Sequence, residues 1–212
     1  IVIIHGGGSF GHYVVREHKD LTSLGAVSQT IWFMRELNMI IVDSLMAQGL
    51  PVIPLDTHAV FHKEDTELNA LVELLWDIVS RGLIPVLYGD VIFCFRRNVE
   101  ILSGDEIAWF IAKAMAPSRL IFATSVNGVY NKNPRNGNAI LLEKLSISEL
   151  DSIDLKDSSS IDVTGGMYTK LSLGKKYYSQ GIKEVLILNG LMKNYIYRAL
   201  CGYRVLCTKV VR

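Results

Sequence analysis

The chain opens on four apolar, mostly β-branched residues, Ile1-Val2-Ile3-Ile4, and runs straight into His5-Gly6-Gly7-Gly8-Ser9-Phe10-Gly11-His12. A short apolar run of this kind reads as a buried parallel strand. The glycines make the turn that follows free of side chains, and the polar tip leads into a predicted helix. Backbone N–H groups approach an anion closely only where no Cβ intervenes, and a helix N-terminus adds partial positive charge. A strand ending in this way directs the chain toward an α/β fold and toward phosphate chemistry. His12 sets a titratable ring at the end of the stretch. Taken alone, the same residues also describe a tight βα turn with a surface histidine.

The remaining pattern alternates helix and strand. Ala26 to Gln48 reads as a long helix, apolar nearly all round through Ile31, Trp32, Phe33, Met34, Leu37, Ile40, Ile41 and Leu45. Pro51 to Leu55 reads as a strand, and Asp65 as the cap of an amphipathic helix carrying Leu68, Leu71, Val72, Leu75, Ile78 and Val79. Ile84 to Tyr88 is the next strand, Val91 to Leu102 a hairpin, and Gly104 to Met115 a helix stopped by Pro117. Arg119 to Thr124 and Glu184 to Leu188 read as strands, separated by a serine-rich polar stretch (Leu142 to Asp162) and a helix from Thr164-Gly165-Gly166 to Gln180. Asn194 to Leu200 and Thr208 to Val211 complete the pattern. The expected architecture is a three-layer αβα sandwich around a mainly parallel sheet, as one domain over residues 1–212.

Composition excludes several classes. With 50% apolar and 20% charged residues and a formal net charge of +1, neither disorder nor a nucleic-acid-binding surface is expected, and no apolar run is long enough to span a membrane. Cys94, Cys201 and Cys207 follow no disulfide or zinc spacing, which points to a reducing, cytoplasmic setting.

In an open parallel sheet, ligands bind beyond the carboxyl ends of the strands. Four such ends carry chemistry-bearing residues: Gly6 to His12, Gly89-Asp90, Ser103-Gly104-Asp105, and Thr124 to Gly128. A fifth segment, Thr164-Gly165-Gly166 with Lys170 one turn on, offers a second glycine-lined helix N-terminus. Two such anion sites suit two phosphate-bearing groups, as phosphoryl transfer requires. No Gly-x-x-x-x-Gly-Lys-Ser/Thr or Gly-x-Gly-x-x-Gly motif occurs. Singly, Lys170 also reads as a solvated helix charge, Asp105 as a helix N-terminal acid, and Gly165-Gly166 as a plain loop. Their joint order is what is specific.

That order resembles the amino acid kinase superfamily, and Gly6-Gly7-Gly8-Ser9-Phe10-Gly11-His12 is similar to the loop of the isopentenyl phosphate kinases within it. Further matches are Tyr88-Gly89-Asp90-Val91, Ser103-Gly104-Asp105-Glu106, Gly128-Val129-Tyr130 with Pro134, and Asp162-Val163-Thr164-Gly165-Gly166-Met167. The resemblance implies phosphorylation of isopentenyl phosphate by ATP with Mg²⁺. It implies that Gly7 and Gly8 cradle the transferring phosphoryl group, that His12 holds the acceptor phosphate, and that Gly89, Gly104 and Asp105 organise the reaction centre. It assigns Lys170, with Gly166, to the ATP phosphates, and Ser125, Gly128, Tyr130 and Pro134 to the nucleotide. Val27, Thr30 and Ile31, with Val91 and Ile101, would wall a pocket for the prenyl tail, or serve as ordinary core. A homodimer is expected, since relatives often pair through the helix that follows the glycine loop.

Departures from the family pattern bear on this reading. A first strand with a Lys-x-Gly-Gly-Ser loop is absent, and we expect that about 30 residues, the size of a βαβ element, precede Ile1. Where Thr-Asp-x-Asp-Gly is common, the chain has Thr124-Ser125-Val126-Asn127-Gly128, and Cys207-Thr208 replaces a Gly-Thr pair. No protein metal-ligand set is assigned. Two other readings stay open: a kinase for another phosphate or phosphonate acceptor such as fosfomycin, and a nucleotide-binding regulatory protein with weakened catalysis.

Overall fold

A computed structural model describes residues 1–8, 23–95, 98–132, 138–152 and 166–212. The chain divides into two compact units, Ile1–Ala108 and Trp109–Arg212. His12, Pro134, Gly165 and the Ser158-Ser159-Ser160 run lie outside the described residues.

In the first unit, β1 (Ile3–His5) pairs in parallel with β5 (Ile84–Tyr88), and β5 pairs in parallel with β2 (Val52–Pro54), giving the order β1-β5-β2. Helix α1 (Leu24–Met46) is started by Ser23, whose Oγ accepts the Ala26 N–H at 3.1 Å. Its buried face is Ala26, Thr30, Met34, Asn38 and Val42, spaced four apart as one helical stripe. Val42, Val52 and Val86 form the core between helix and sheet. A second sheet has the order β4-β3-β6-β7, from β3 (Phe61–Glu64), β4 (Glu67–Ala70), β6 (Asp90–Phe95) and β7 (Val99–Leu102). The expected hairpin is present: β6 and β7 are antiparallel, with Val91 opposite Ile101.

One expectation is corrected here. Asp65 does not cap a helix; it sits in the two-residue turn between β3 and β4, at φ +53°. Asp is among the few non-glycine residues that tolerate this region. The helix begins later, as α3 (Val72–Ser80), preceded by the short α2 (Thr57–Val60). Leu68 is buried, but as a strand residue paired with Lys63.

Helix α4 (Gly104–Met115) is capped by Ser103, whose Oγ accepts the Glu106 N–H at 3.1 Å. The second unit contains β8 (Leu120–Thr124), β9 (Lys144–Ser146), α5 (Gly166–Tyr177), β10 (Val185–Asn189), α6 (Tyr195–Leu200) and β11 (Cys207–Val211). Its sheet order is β8-β10-β11-β9, with β10 and β11 antiparallel and the outer pairs parallel. The serine-rich stretch carries β9 and a 3₁₀ turn (Ile147–Ser152) that the sequence did not announce. Gly174 lets α5 close on its neighbours: a Cβ there would lie 2.7 Å from Ile147 Cδ1 and 3.1 Å from the Trp109 ring. The class is mixed α/β with parallel pairing predominant, as expected, although the hydrogen bonds divide the strands among three sheets. No described helix is long and apolar enough to cross a membrane.

Candidate active site

Three backbone segments meet at the end of β1. The Gly89 N–H donates to the His5 carbonyl at 3.0 Å. A Cβ on Gly104 would lie 2.9 Å from that same oxygen, and one on Gly89 would lie 3.0 Å from the Gly104 nitrogen. Neither position has room for a side chain, because backbone fills the space. Gly6 and Gly8, by contrast, have none of the described residues within 4 Å of an added Cβ, and Gly8 adopts φ +50°. Gly6 and Gly8 therefore stand clear of the described residues while Gly89 and Gly104 lock the ends of β5 and β7 against β1. Asp105 follows directly in the first turn of α4, where a helix N-terminus favours a carboxylate. The sequence-predicted set Gly7, Gly89, Gly104 and Asp105 is brought to one strand edge by these contacts.

The residues expected to wall an apolar pocket divide. Val91 is buried, Val27 and Ile31 are half-buried, and Ile101 is exposed. Thr30 is buried with its hydroxyl donating to the Ala26 carbonyl at 2.8 Å, so its polar group is spent on its own helix. Phe93 and Phe95 share the pleat face of Val91 and are half-exposed, Phe95 packing on the His62 ring with centroids 4.8 Å apart. Sequence reading passed over both, although their alternation around buried Cys94 was the available signal.

Sequence reading also missed a polar network behind this edge. His58 Nδ1 lies 2.7 Å from the fully buried Asp90 carboxylate, whose other oxygen accepts the Val91 N–H at 2.8 Å. The Tyr88 hydroxyl donates to Asp56, which Arg35 also approaches at 3.4 Å, and the Thr57 hydroxyl donates to the Tyr88 carbonyl at 2.6 Å. Hydrogen bonding to Asp90 raises the His58 pKa, while burial raises that of Asp90 and the bond to His58 opposes it. Burial, reinforced by Asp90 and Asp56, pushes the Tyr88 phenol well above its usual range.

Both members of the pair thus bind protons more tightly in the folded state. The His58 contribution is complete below the ordinary histidine value of 6.5 and is lost as pH rises through the raised His58 value, whereas the Asp90 contribution is complete only below the ordinary carboxyl value of 3.8 and is lost as pH rises through the raised Asp90 value. The part of the pH dependence that belongs to His58 is expected as a fall in the urea midpoint as pH rises above the ordinary histidine value of 6.5. In His58→Gln that slope should flatten; an unchanged slope would remove His58 as its source.

The second unit carries the residues assigned to nucleotide. Gly128 sits at φ +149°, and a Cβ there would lie 2.5 Å from Thr208 Oγ1 and 2.8 Å from Thr208 N. Thr208, fully buried, accepts the Val129 N–H at 2.8 Å and donates to the Leu142 carbonyl at 2.6 Å. Thr208 therefore pins the Gly128–Tyr130 turn to β11, a role that sequence reading did not find. Ser125 is exposed, Tyr130 is half-buried in a bridge with Leu141, and Asn127 accepts an N–H from Asn189 at 3.2 Å. Gly166 opens α5 at φ +60°, with none of the described residues within 4 Å of an added Cβ. The Lys170 ammonium lies over the Phe122 ring, 4.9 Å from its centroid, and the Lys170 carbonyl accepts the Trp109 indole N–H at 2.8 Å.

Comparison with known proteins decides the family. The profile of the amino acid kinase family matches residues 1–189. The chain belongs to that family. It is 30% identical to isopentenyl phosphate kinase of Methanothermobacter thermautotrophicus, over 99% of this chain and 84% of that protein. Identity is also 30% to the Methanocaldococcus jannaschii isopentenyl phosphate kinase, over 95% of this chain and 77% of that one. A solved structure described as isopentenyl phosphate kinase superposes with a TM-score of 0.81 at 26% identity, covering 99% of this chain and 83% of that chain. An acetylglutamate kinase of Endomicrobium trichonymphae is 23% identical over 90% of this chain and 81% of that protein. As a family member the chain is a kinase, with ATP as donor.

Phosphoryl transfer from ATP commonly employs Mg²⁺. Among the described residues, no three His, Cys, Asp or Glu side chains converge on a metal position. Magnesium is usually held by one or two carboxylates together with substrate phosphates rather than by an all-protein cage. Asp105, in the first turn of α4, is the carboxylate that would serve in that mode.

Proposed function

We propose that the chain phosphorylates isopentenyl phosphate with ATP, giving isopentenyl diphosphate and ADP. The observation that supports the reading is the strand-end cradle, in which Gly6 and Gly8 stand clear of the described residues while backbone atoms fill the space a Cβ would take at Gly89 and Gly104. It occurs in a chain similar to archaeal isopentenyl phosphate kinases over nearly its whole length.

In this reading the Gly7 and Gly8 amides receive the charge that develops on the transferring phosphoryl group. His12 donates to the acceptor's phosphate, and Asp105 orients the donors around the reaction centre. Gly166 and Lys170 hold the ATP phosphates; Lys170 leaves the face of Phe122 to do so. The turn that Thr208 pins, with Ser125, Gly128, Tyr130 and Pro134, receives the nucleotide. Mg²⁺, with Asp105 as protein ligand, supplies charge neutralisation between phosphates. The prenyl tail lies against Val27, Val91 and Ile101, extended by Phe93 and Phe95. A homodimer belongs to the same proposal, because Trp32, Met39 and Ile40 leave large apolar side chains exposed on α1.

ADP release with Mg²⁺-ATP, followed in parallel with isopentenyl phosphate, fosfomycin and N-acetylglutamate, tests the substrate. Turnover confined to isopentenyl phosphate is expected. Preference for either of the others would overturn the acceptor, and ATP binding without turnover on any would favour the regulatory reading.

A further inference from the structure

His5 is the last side chain before the glycine loop, and the structure surrounds it on three sides. Its Nδ1 lies 3.0 Å from the Gly6 carbonyl oxygen, its Nε2 lies 3.2 Å from Asn38 Oδ1, and its ring stacks on Tyr88 with centroids 5.6 Å apart. Asn38 projects from α1, is 1% exposed, and its Nδ2 is the buried side-chain polar atom that lacks a partner among the described residues. An uncompensated buried amide is costly, so its position calls for a physical reason.

We propose that His5 is a positioning residue for the glycine loop, held by Asn38 and Tyr88 so as to fix the Gly6–Gly7 peptide plane. The inference rests on the reading that the Gly7 amide receives the transferring phosphoryl group. A carbonyl oxygen only accepts, so His5 Nδ1 carries the proton in this bond. Nε2 of the neutral ring is then an acceptor. Exchanging Asn38 Oδ1, which faces the ring, for Nδ2 satisfies Nε2 and gives the orphaned Nδ2 its partner, and leaves the oxygen, the less costly group to leave unpaired, in the other position; amide orientation is assigned from such bonding and not from atom positions. The Gly6 carbonyl and the Gly7 N–H belong to one rigid peptide plane and point in opposite directions. Gripping the carbonyl therefore aims the N–H. Glycine, with no Cβ to restrict φ and ψ, does not aim it unaided. A donor misaimed by a fraction of an ångström loses most of its value in the transition state.

Two isosteres separate the ring's nitrogens. The amide nitrogen of Asn falls where Nδ1 stands, and that of Gln where Nε2 stands. His5→Asn should keep kcat within about threefold of the parent, whereas His5→Gln should lower it by about 10- to 100-fold with KM for ATP and acceptor little changed, the signature of an interaction made in the transition state. Asn38→Leu should fall in the same direction as His5→Gln. Imidazole nitrogen NMR of the parent protein should show the Nδ1–H tautomer at His5. Equal losses in the Asn and Gln variants, or an Nε2–H tautomer, would overturn the inference while the parent remains active. If the parent itself transfers no phosphoryl group, the functional reading fails, and the tautomer and its loss of restraint in Asn38→Leu still decide the contact.

Discussion

Asp105→Asn is expected to lower kcat by about 10²- to 10³-fold, the loss typical of removing one group that organises charge in a transition state. The fold should survive. Asp105 occupies the first turn of α4, which is capped by the Ser103 Oγ at the Glu106 N–H. Asparagine retains the shape and a polar group there, and the lost charge–dipole attraction is worth only about 0.5 kcal/mol at such a site. Steady-state kinetics beside a melting curve separates the two effects. A variant with near-parent kcat would remove Asp105 from the reaction centre, and a variant that failed to fold would show that its role is structural.

Gly104→Ala should be damaging in a different way. The backbone is not in the left-handed region, so alanine is conformationally acceptable, but its Cβ would meet the His5 carbonyl oxygen at 2.9 Å and its carbon at 3.3 Å. Backbone cannot swing aside as a side-chain tip can. Either α4 retreats or β1 shifts, at a cost of about 1–3 kcal/mol typical of overpacking. Both displacements move the glycine loop, so kcat/KM should fall by about 10²-fold or more even where the protein stays folded. Denaturant titration and kinetics together check this. Gly6→Ala provides the contrast, because none of the described residues lies within 4 Å of its added Cβ; its stability should be near that of the parent.

The sequence disclosed the elements whose signals are local. An apolar strand ending in glycines, the Val91 to Leu102 hairpin and the Ser-x-x-Glu start of α4 all appear where their residues placed them. The Phe61–Ala70 hairpin escaped because Leu68, Leu71 and Val72 continue the spacing of the true helix beyond it, so periodicity ran past the boundary. Contacts between residues far apart in the chain were illegible for a stronger reason. Nothing local in Thr208 says that it will hold the turn at Gly128, and nothing in His58 says that it will meet Asp90. Thr30 illustrates the converse: its helical position was read correctly, but its hydroxyl bonds to its own helix.

The central claim concerns where the phosphoryl group goes. Phosphorus NMR of the protein with Mg²⁺-ATP and isopentenyl phosphate follows donor, acceptor and product in one sample. The account predicts that the ATP γ signal and the acceptor monoester signal decline together, one for one, as ADP and the paired resonances of a new diphosphate ester grow. Inorganic phosphate and ADP accumulating beside unconsumed isopentenyl phosphate, or no loss of either substrate from protein that binds ATP, would contradict it.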